Sequence, residues 1–414
     1  MPTDAELIQE HQHCRTCPGK LQSIIDLGRI YPSEFVEGET HQSPQPLVLC
    51  TCDRCGLVQL KHTIQPDCVY RQYWYRSSLN PAMVVALQEI VDGIEKRASI
   101  SNRDVVVDIG ANDGTLLSLY SNQPVKVGFD PALNLAPLAE KHCSIFVNDY
   151  FDFDKYPLQQ RARAVSSIAM FYDLEDPLRF IADVKKILAR DGIWVIQLTD
   201  LMSMLKTNAF DNLCMEHLEY YSLRVLTALL SKHELEIFDL EFNQVNGGST
   251  RCYVGHRSAH PIQKLVQEAL QAEEEYFNSF TDPFLSFYDR IQAIRELLTT
   301  FVKAEAAAGK TIFVLGASTK GNTLLQYFKL GHPLLQCAAE INPEKLGKKT
   351  VGTNIPIISE AEAFAAHPDY FLVLPWHFIK GFVQAHQSYL DKGGAFIVPM
   401  PEPAVIDRNG WRNV

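Results

Sequence analysis

The sequence predicts an α/β protein in which a small, β-rich, cysteine-bearing module precedes two doubly wound, Rossmann-like units. Three observations carry this. Two C-x2-C pairs fall within the first 55 residues. A β-branched run, VVVDIG, leads through the turn ANDG into TLLSLY, and strands alternate with helices from there. A second strand, glycine turn and helix, KTIFVLGASTKGNTLLQYF, begins at Lys310. Such alternation builds a parallel sheet covered on both faces. At 414 residues the chain is too long for one ordinary domain and suits two or three.

The first element, residues 1–75, reads as short strands and turns around the cysteines. A C-x2-C pair puts two thiolates on one turn, and two pairs complete a tetrahedral site, usually for zinc. Cys14, Cys17, Cys52 and Cys55 supply the pairs CRTC and CDRC, 34 residues apart. Cys50 competes as a ligand, but Cys52–Cys55 repeats the C-x2-C spacing. Four thiolates leave no open position, so the expected Zn2+ is structural. Most of the other cysteines read as buried small apolar side chains. The polar start, Met1 to Gln12, lacks the basic-then-apolar form of a signal peptide, so the expected location is cytoplasmic and no disulfide framework is expected. No apolar run is long enough to span a membrane. A net charge of −11 without a long Lys/Arg block argues against nucleic acid and anionic membranes and for a small-molecule substrate.

The second element, residues 76–260, opens with the helical pattern PAMVVALQEIVDGIEKRA. Strands follow at VVVDIG, VKVGFD, AVSSIAMFY and GIWVIQLTD, with the helix PLRFIADVKKILARDG between the last two. The loop after the first strand has the form D-x-G-x-N-x-G, unlike the G-x-G-x-x-G that receives a pyrophosphate. S-adenosylmethionine carries no phosphate, and its methionine part fits such a loop. Asp108 would sit near the ligand ammonium, with Gly110, Asn112 and Gly114 forming the turn. Asp130, ending the next strand, is placed to receive a ribose. Asp149 and Tyr150 fall where a loop would flank the adenine.

Residues 261–307 read as one or two long helices, a connector. Residues 308–414 give the second Rossmann-like unit. Its GASTKGN turn opens a helix whose N-terminal amides attract anions. Lys320 adds positive charge and, with Asn322 and Glu340, is expected to face a sugar nucleotide. The turn is not a dinucleotide fingerprint, so a redox cofactor is not expected. Trp376 and His377 lie at a strand end beside the same cleft.

Several ordered blocks make the chain resemble the S-adenosylmethionine-dependent sugar C-methyltransferases that act on nucleotide-linked 4-ketohexoses in deoxysugar pathways. These blocks are the cysteine module ending CGLVQL, YWYRSSLNPAM, DIGANDGTLL, FDNLCMEHLEYYSL, VNGGSTRCYV, GASTKGNTLL, EINPEKLGKKTVGTNIPI and GGAFIVPMPEP. The resemblance implies a methyltransferase core between a zinc module and a C-terminal unit that helps enclose the sugar nucleotide. It implies His217 as the base that removes the proton beside the ketone, with Glu216 orienting it or touching the sugar. It places Tyr75 near the reacting groups and Asn246 and Gly247 near the ligand. Members of the family have Tyr-His-Glu-His where this chain has Cys214, Met215, Glu216 and His217, and a histidine where Tyr172 stands. Tyr172 is therefore expected to hydrogen-bond the enolate oxygen. The competing readings are O- or N-methylation of another small molecule, a zinc-bearing protein that binds S-adenosylmethionine without turnover, and an oxidoreductase using the C-terminal unit.

Overall fold

The computed structural model describes residues 8–38, 40 and 42–414; the first seven residues of the polar start lie outside the described residues. Strands Leu21–Ile30, Gln45–Cys52 and Val58–Leu60 form an antiparallel sheet. Its fourth strand, Glu219–Tyr220, comes from the core, pairing Glu219 with Gln59 and Tyr220 with Val58. A second graft runs the other way, where Phe35–Val36 pairs with Lys349–Thr350 of the C-terminal unit.

The core sheet has seven strands in the order Leu235–Asn243, Ser249–His256, Leu188–Leu198, Ala162–Ile168, Val105–Ile109, Val125–Phe129 and Ile145–Val147. The last five are parallel, and Ser249–His256 runs against its neighbours. Val105–Ile109 is wholly buried, as its β-branched run, interrupted only by Asp108, demands. Helix Pro81–Ala98 starts on a proline behind Asn80, whose side chain accepts from the Ala82 amide. Two elements differ from expectation. TLLSLY yields only the one-turn helix Thr115–Ser118. The strand expected at Gly192 starts at Leu188, where the helix Pro177–Ile187 ends. Leu188 is fully buried opposite Ala162, while Ala164 pairs with Ile193, so the intervening residues bulge. Gly192 permits this, since a Cβ there would lie 3.0 Å from the Ala162 and Ala189 carbonyl oxygens.

The C-terminal sheet also has seven strands, in the order Ile357–Ser359, Ala338–Glu340, Ile312–Leu315, Tyr370–Val373, Ala395–Val398, Ala404–Asp407 and Gly410–Asn413. The first five are parallel.

Helices Lys264–Asn278 and Pro283–Ala307 link the units but are not free connectors. Phe287, Ile291, Ile294, Leu298 and Val302 recur at three- and four-residue spacing and enter one apolar core. That core also holds Ile25 and Leu27 of the first module and Phe371 and Phe396 of the last unit. Arg290 donates to Asn208 and to the Leu205 carbonyl, both at 2.7 Å, pinning the long helix to the core unit. No helix among the described residues is long and apolar enough to cross a membrane.

Candidate active site

Parallel sheets bind ligands beyond the carboxyl ends of their strands. Here both sheets present those ends to one cavity of ≈ 850 Å³. Its walls are the loops after Val105–Ile109, Val125–Phe129 and Ala162–Ile168 on one side and those after Ile312–Leu315, Ala338–Glu340 and Tyr370–Val373 on the other. This volume is at the upper end of the range for one ligand and leaves room for two.

On the core side, Gly110 (φ +77°) lines the cavity, and a Cβ there would press against Met170 Cγ at 3.0 Å. Asp108 and Asp130 are buried beside it. Ser166 Oγ donates to Asp108 at 2.6 Å, and the amides of Asn112 and Ala132 donate to Asp130 at 2.7 and 2.9 Å. Burial raises the Asp108 carboxyl to about 7 and that of Asp130 to about 6. Two buried carboxyls without a cationic partner, beside a floor free of Cβ, fit a ligand bearing an ammonium and ribose hydroxyls. Gly114 (φ +80°) does not line the cavity; its missing Cβ makes room for Ala139 Cα. The Asn112 side chain faces the 75–77 backbone, accepting from the Ser77 amide and donating to the Tyr75 carbonyl. Asp149 and Tyr150 line the cavity but are already engaged. Arg71 and Lys155 pair with Asp149, at 3.3 and 2.7 Å, and the Tyr150 hydroxyl donates to Asp67.

His217 follows a turn, its amide bonding to the Cys214 carbonyl. Its Nδ1 lies 3.0 Å from the Asn212 carbonyl oxygen. A carbonyl only accepts, so Nδ1 carries the proton and the lone pair is on Nε2. Burial, then the charge of Lys320, depresses the imidazole to about 3, leaving it neutral near pH 7. The Tyr172 ring packs on His217 with centroids 4.2 Å apart, and the Tyr172 carbonyl receives the Leu218 amide at 2.8 Å. Tyr75, Tyr172 and His217 all line the cavity, whereas Glu216 is buried without lining it. Burial pushes the Cys214 thiol well up, so it is not poised as a thiolate.

On the C-terminal side, Lys320 Nζ donates to Asn212 Oδ1 at 3.2 Å and to Asn246 Oδ1 at 3.0 Å, joining three chain segments at the cavity wall. Gly247 (φ +87°) lets Trp376 approach; a Cβ would lie 2.7 Å from that ring. His377, not Trp376, lines the cavity. Asn322 is buried outside the lining. Glu340 lines the cavity with its carboxylate already engaged. The Ile341 and Asn342 amides and Lys345 Nζ, at 3.0 Å, all donate to it, and Lys345 also donates to the Ala317 carbonyl. Lys345 thus occupies the space between this acid and the glycine turn that a dinucleotide would need.

Sequence reasoning missed Asp173 and Asp211. Both line the cavity, and each has a buried Oδ1 without a hydrogen-bond partner. Burial pushes the Asp173 carboxyl well above its ordinary range. Their adjacency to Tyr172 and to the FDN block was the available signal.

Outside the cavity lining, the Sγ atoms of Cys14, Cys17, Cys52 and Cys55 lie within 4.8 Å of one another. Cys14–Cys55 is 3.6 Å and Cys17–Cys52 3.4 Å, close to the roughly 3.8 Å edge of a tetrahedral zinc–thiolate site. Cys50 lies outside this quartet, with Ser23 Oγ 3.7 Å away. The four thiols fit a structural Zn2+.

Three family models match in succession. Residues 14–70 match a "Putative zinc binding domain", 85–240 a methyltransferase domain and 244–401 a C-methyltransferase C-terminal domain. C-methyltransferase NovU of Streptomyces niveus is 32% identical over 370 residues, 87% of each chain. Among solved structures, magnesium protoporphyrin IX methyltransferase of Synechocystis PCC 6803 covers 43% of this chain and 88% of its own, at 12% identity and a TM-score of 0.34. N-methyltransferase NodS of Bradyrhizobium japonicum WM9 covers 43% and 98%, also at 12% identity and 0.34. The near-full-length relative and the three successive domain matches place the chain in the C-methyltransferase family: it is an S-adenosylmethionine-dependent methyltransferase with an N-terminal zinc-binding module.

Proposed function

We propose that this enzyme methylates a carbon next to the ketone of a nucleotide-linked 4-ketohexose. The observation that carries this reading is the 3.0 Å contact of His217 Nδ1 with the Asn212 carbonyl oxygen, from which the tautomer follows. With Nδ1–H committed to the Asn212 carbonyl, neutral Nε2 is a base inside the cavity shared by both Rossmann-like units. Carbon methylation needs such a base, because a C–H proton must leave before the carbon becomes nucleophilic.

The cofactor S-adenosylmethionine, when bound, supplies the electrophilic methyl group. Asp108 and Asp130 would hold its ammonium and ribose, with Gly110 letting the backbone approach and Tyr150 beside the adenine. His217 Nε2 takes the proton from the carbon beside the ketone. The electron pair moves onto the carbonyl oxygen, where the Tyr172 hydroxyl donates a hydrogen bond. Burial holds Tyr172 well above the ordinary phenol range, so it stays a neutral donor. Lys320 and the N-terminus of helix Thr319–Phe328, with its Ser318 cap, would receive the diphosphate. Asn246 fixes Lys320. The zinc module contributes no step.

The test is incubation with methyl-labelled cofactor and thymidine diphosphate-4-keto-6-deoxyglucose, followed by carbon NMR of the product. The expected label is on a ring carbon adjacent to the ketone, and His217→Asn abolishes both methylation and exchange of that carbon's proton with deuterated solvent. A label on oxygen or nitrogen overturns the reading.

A further inference from the structure

Arg15 sits in the zinc knuckle, between Cys14 and Cys17, yet its side chain points away from the thiols and is 1% exposed. Its guanidinium donates to the Leu60 carbonyl at 2.8 Å and to Thr63 Oγ1 at 2.6 Å. It pairs with Glu175 at 3.3 Å and lies 3.7 Å from Glu219 Oε1.

Each of these partners leads to the reacting groups. Glu175 closes the short loop that carries Tyr172 and also accepts from Thr63 Oγ1 at 2.6 Å. Glu219 is two residues after His217, and its carboxylate is buried without a hydrogen-bond partner, leaving Arg15 as its nearby cation. Leu60, whose carbonyl Arg15 holds, donates its amide to the Leu218 carbonyl, and the Leu218 amide donates to the Tyr172 carbonyl. The Arg15 amide itself donates to Gln59 Oε1, opposite Glu219 in the shared sheet.

We infer that Arg15 is a positioning residue: it fixes the Tyr172 loop and the His217 turn to the zinc knuckle and thereby sets how the two rings meet. The zinc module then does more than fold a terminal segment. A bound metal would fix the turn from which Arg15 reaches, and the guanidinium holds Glu175 of the Tyr172 loop together with the Leu60 carbonyl, whose own amide binds the Leu218 carbonyl next to His217. A lysine offers one point charge and cannot span them. Burial raises the Glu219 carboxyl well above its ordinary range and the Arg15 charge opposes this, so removing Arg15 would leave that buried acid without its facing cation.

This inference rests on the roles proposed for His217 and Tyr172, and the test separates the two. The full-length, zinc-loaded chain is compared as wild type, Arg15→Gln, Arg15→Lys and Glu175→Ala. Readouts are zinc stoichiometry, S-adenosylhomocysteine affinity, amide exchange at Leu218, and kcat and KM on thymidine diphosphate-4-keto-6-deoxyglucose. Arg15→Gln is expected to keep zinc and S-adenosylhomocysteine binding, to speed Leu218 exchange about tenfold and to lower kcat by about 10²-fold with KM little changed. Arg15→Lys restores part of kcat. Unchanged Leu218 protection, or unchanged kcat, in a zinc-loaded variant overturns the inference. If Arg15→Gln sheds zinc, Glu175→Ala, which lies outside the knuckle, decides by the same readouts. If the wild type leaves the 4-keto sugar unmethylated, the substrate reading fails and Leu218 exchange alone decides the positioning role.

Discussion

Asn112 holds Tyr75 by its backbone: the amide nitrogen of the Asn112 side chain donates to the Tyr75 carbonyl at 3.0 Å, while its Oδ1 accepts from Ser77 at 2.9 Å. The segment 73–78 has almost no secondary structure of its own and is fastened by such side chains. Asn134 takes both the amide and the carbonyl of Tyr73, Asn342 takes the Trp74 carbonyl, and Asp113 takes the Ser78 amide. The glycine loop and the wall over the cavity are therefore one unit. Asn112→Ala is expected to lose about 1–3 kcal/mol of stability from the broken bonds, with further strain because residue 112 sits at φ +53°. Asn112→Gly removes that strain but not the loss of contacts. Both should weaken S-adenosylhomocysteine binding in calorimetry; unaltered affinity in both would show that the strap does not shape the cofactor pocket.

Two glycines in the same loop should fail differently. At Gly110 an added Cβ meets the flexible Met170 side chain in the cavity, so Gly110→Ala should weaken cofactor binding by about tenfold or more, beyond the backbone strain that its φ of +77° shares with Gly114. At Gly114 the obstacle is the Ala139 backbone, Cα at 3.0 Å and carbonyl oxygen at 3.1 Å, which cannot rotate away. Gly114→Ala should lower Tm before it changes affinity. Thermal unfolding and calorimetry on both variants check the contrast.

Asp108, proposed to hold the cofactor ammonium, should make cofactor affinity depend on pH. Its carboxyl titrates at about 7 in the ligand-free protein, and an ammonium prefers the ionised form. Below pH 7 protonation competes with binding, so the apparent Kd for S-adenosylhomocysteine should rise about tenfold per unit as pH falls, and level off above pH 7. The folded carboxyl binds its proton more tightly than the unfolded one. Its contribution to the ligand-free stability is therefore lost as pH rises from its ordinary value near 3.8 to about 7. Asp108→Asn should flatten the affinity profile. A wild-type Kd independent of pH between 5.5 and 8 would refute this.

The zinc site has a steric guard at Gly19. A Cβ there would lie 2.4 Å from Cys52 Sγ and 2.9 Å from Asp53 Oδ1. Gly19→Ala should lower zinc occupancy by displacing a ligand thiol. Gly28→Ala adds a Cβ that meets nothing within 4 Å, at φ +78°, and should lose some stability while keeping its metal. Metal analysis of the two purified variants distinguishes them.

The cysteine quartet and the strand–loop–helix order were legible because both are local patterns, in spacing and in hydrophobic period. What local pattern could not carry is which partner a side chain finds across the chain. Asp149 and Glu340 occupy the positions expected of ribose or adenine contacts, yet Lys155 and Lys345 hold them in ion pairs. Glu219–Tyr220 is too short to announce itself as a strand, and its pairing with Val58–Leu60 spans about 160 residues of chain. Glu216 and His217 adjoin in sequence, but only His217 lines the cavity.

Lys320 sits where it would tune the proposed base His217 as well as hold the proposed diphosphate. Its Nζ is fixed by Asn212 and Asn246, and Asn212 is the residue whose carbonyl sets the His217 tautomer. After burial, the lysine charge is the next cause of the low His217 pKa, and it depresses His377 in the same way. Lys320→Met keeps the apolar stem and removes the charge. The His217 pKa should then rise. His217 acts as a base only while unprotonated, so the acid limb of kcat/KM should move to higher pH by the same amount. KM for a diphosphate-bearing sugar should rise about tenfold or more as its countercharge disappears. S-adenosylhomocysteine affinity, set at the opposite wall, should stay constant. If the acid limb stays in place while KM rises, Lys320 serves the substrate alone and the histidine is depressed by burial without its help.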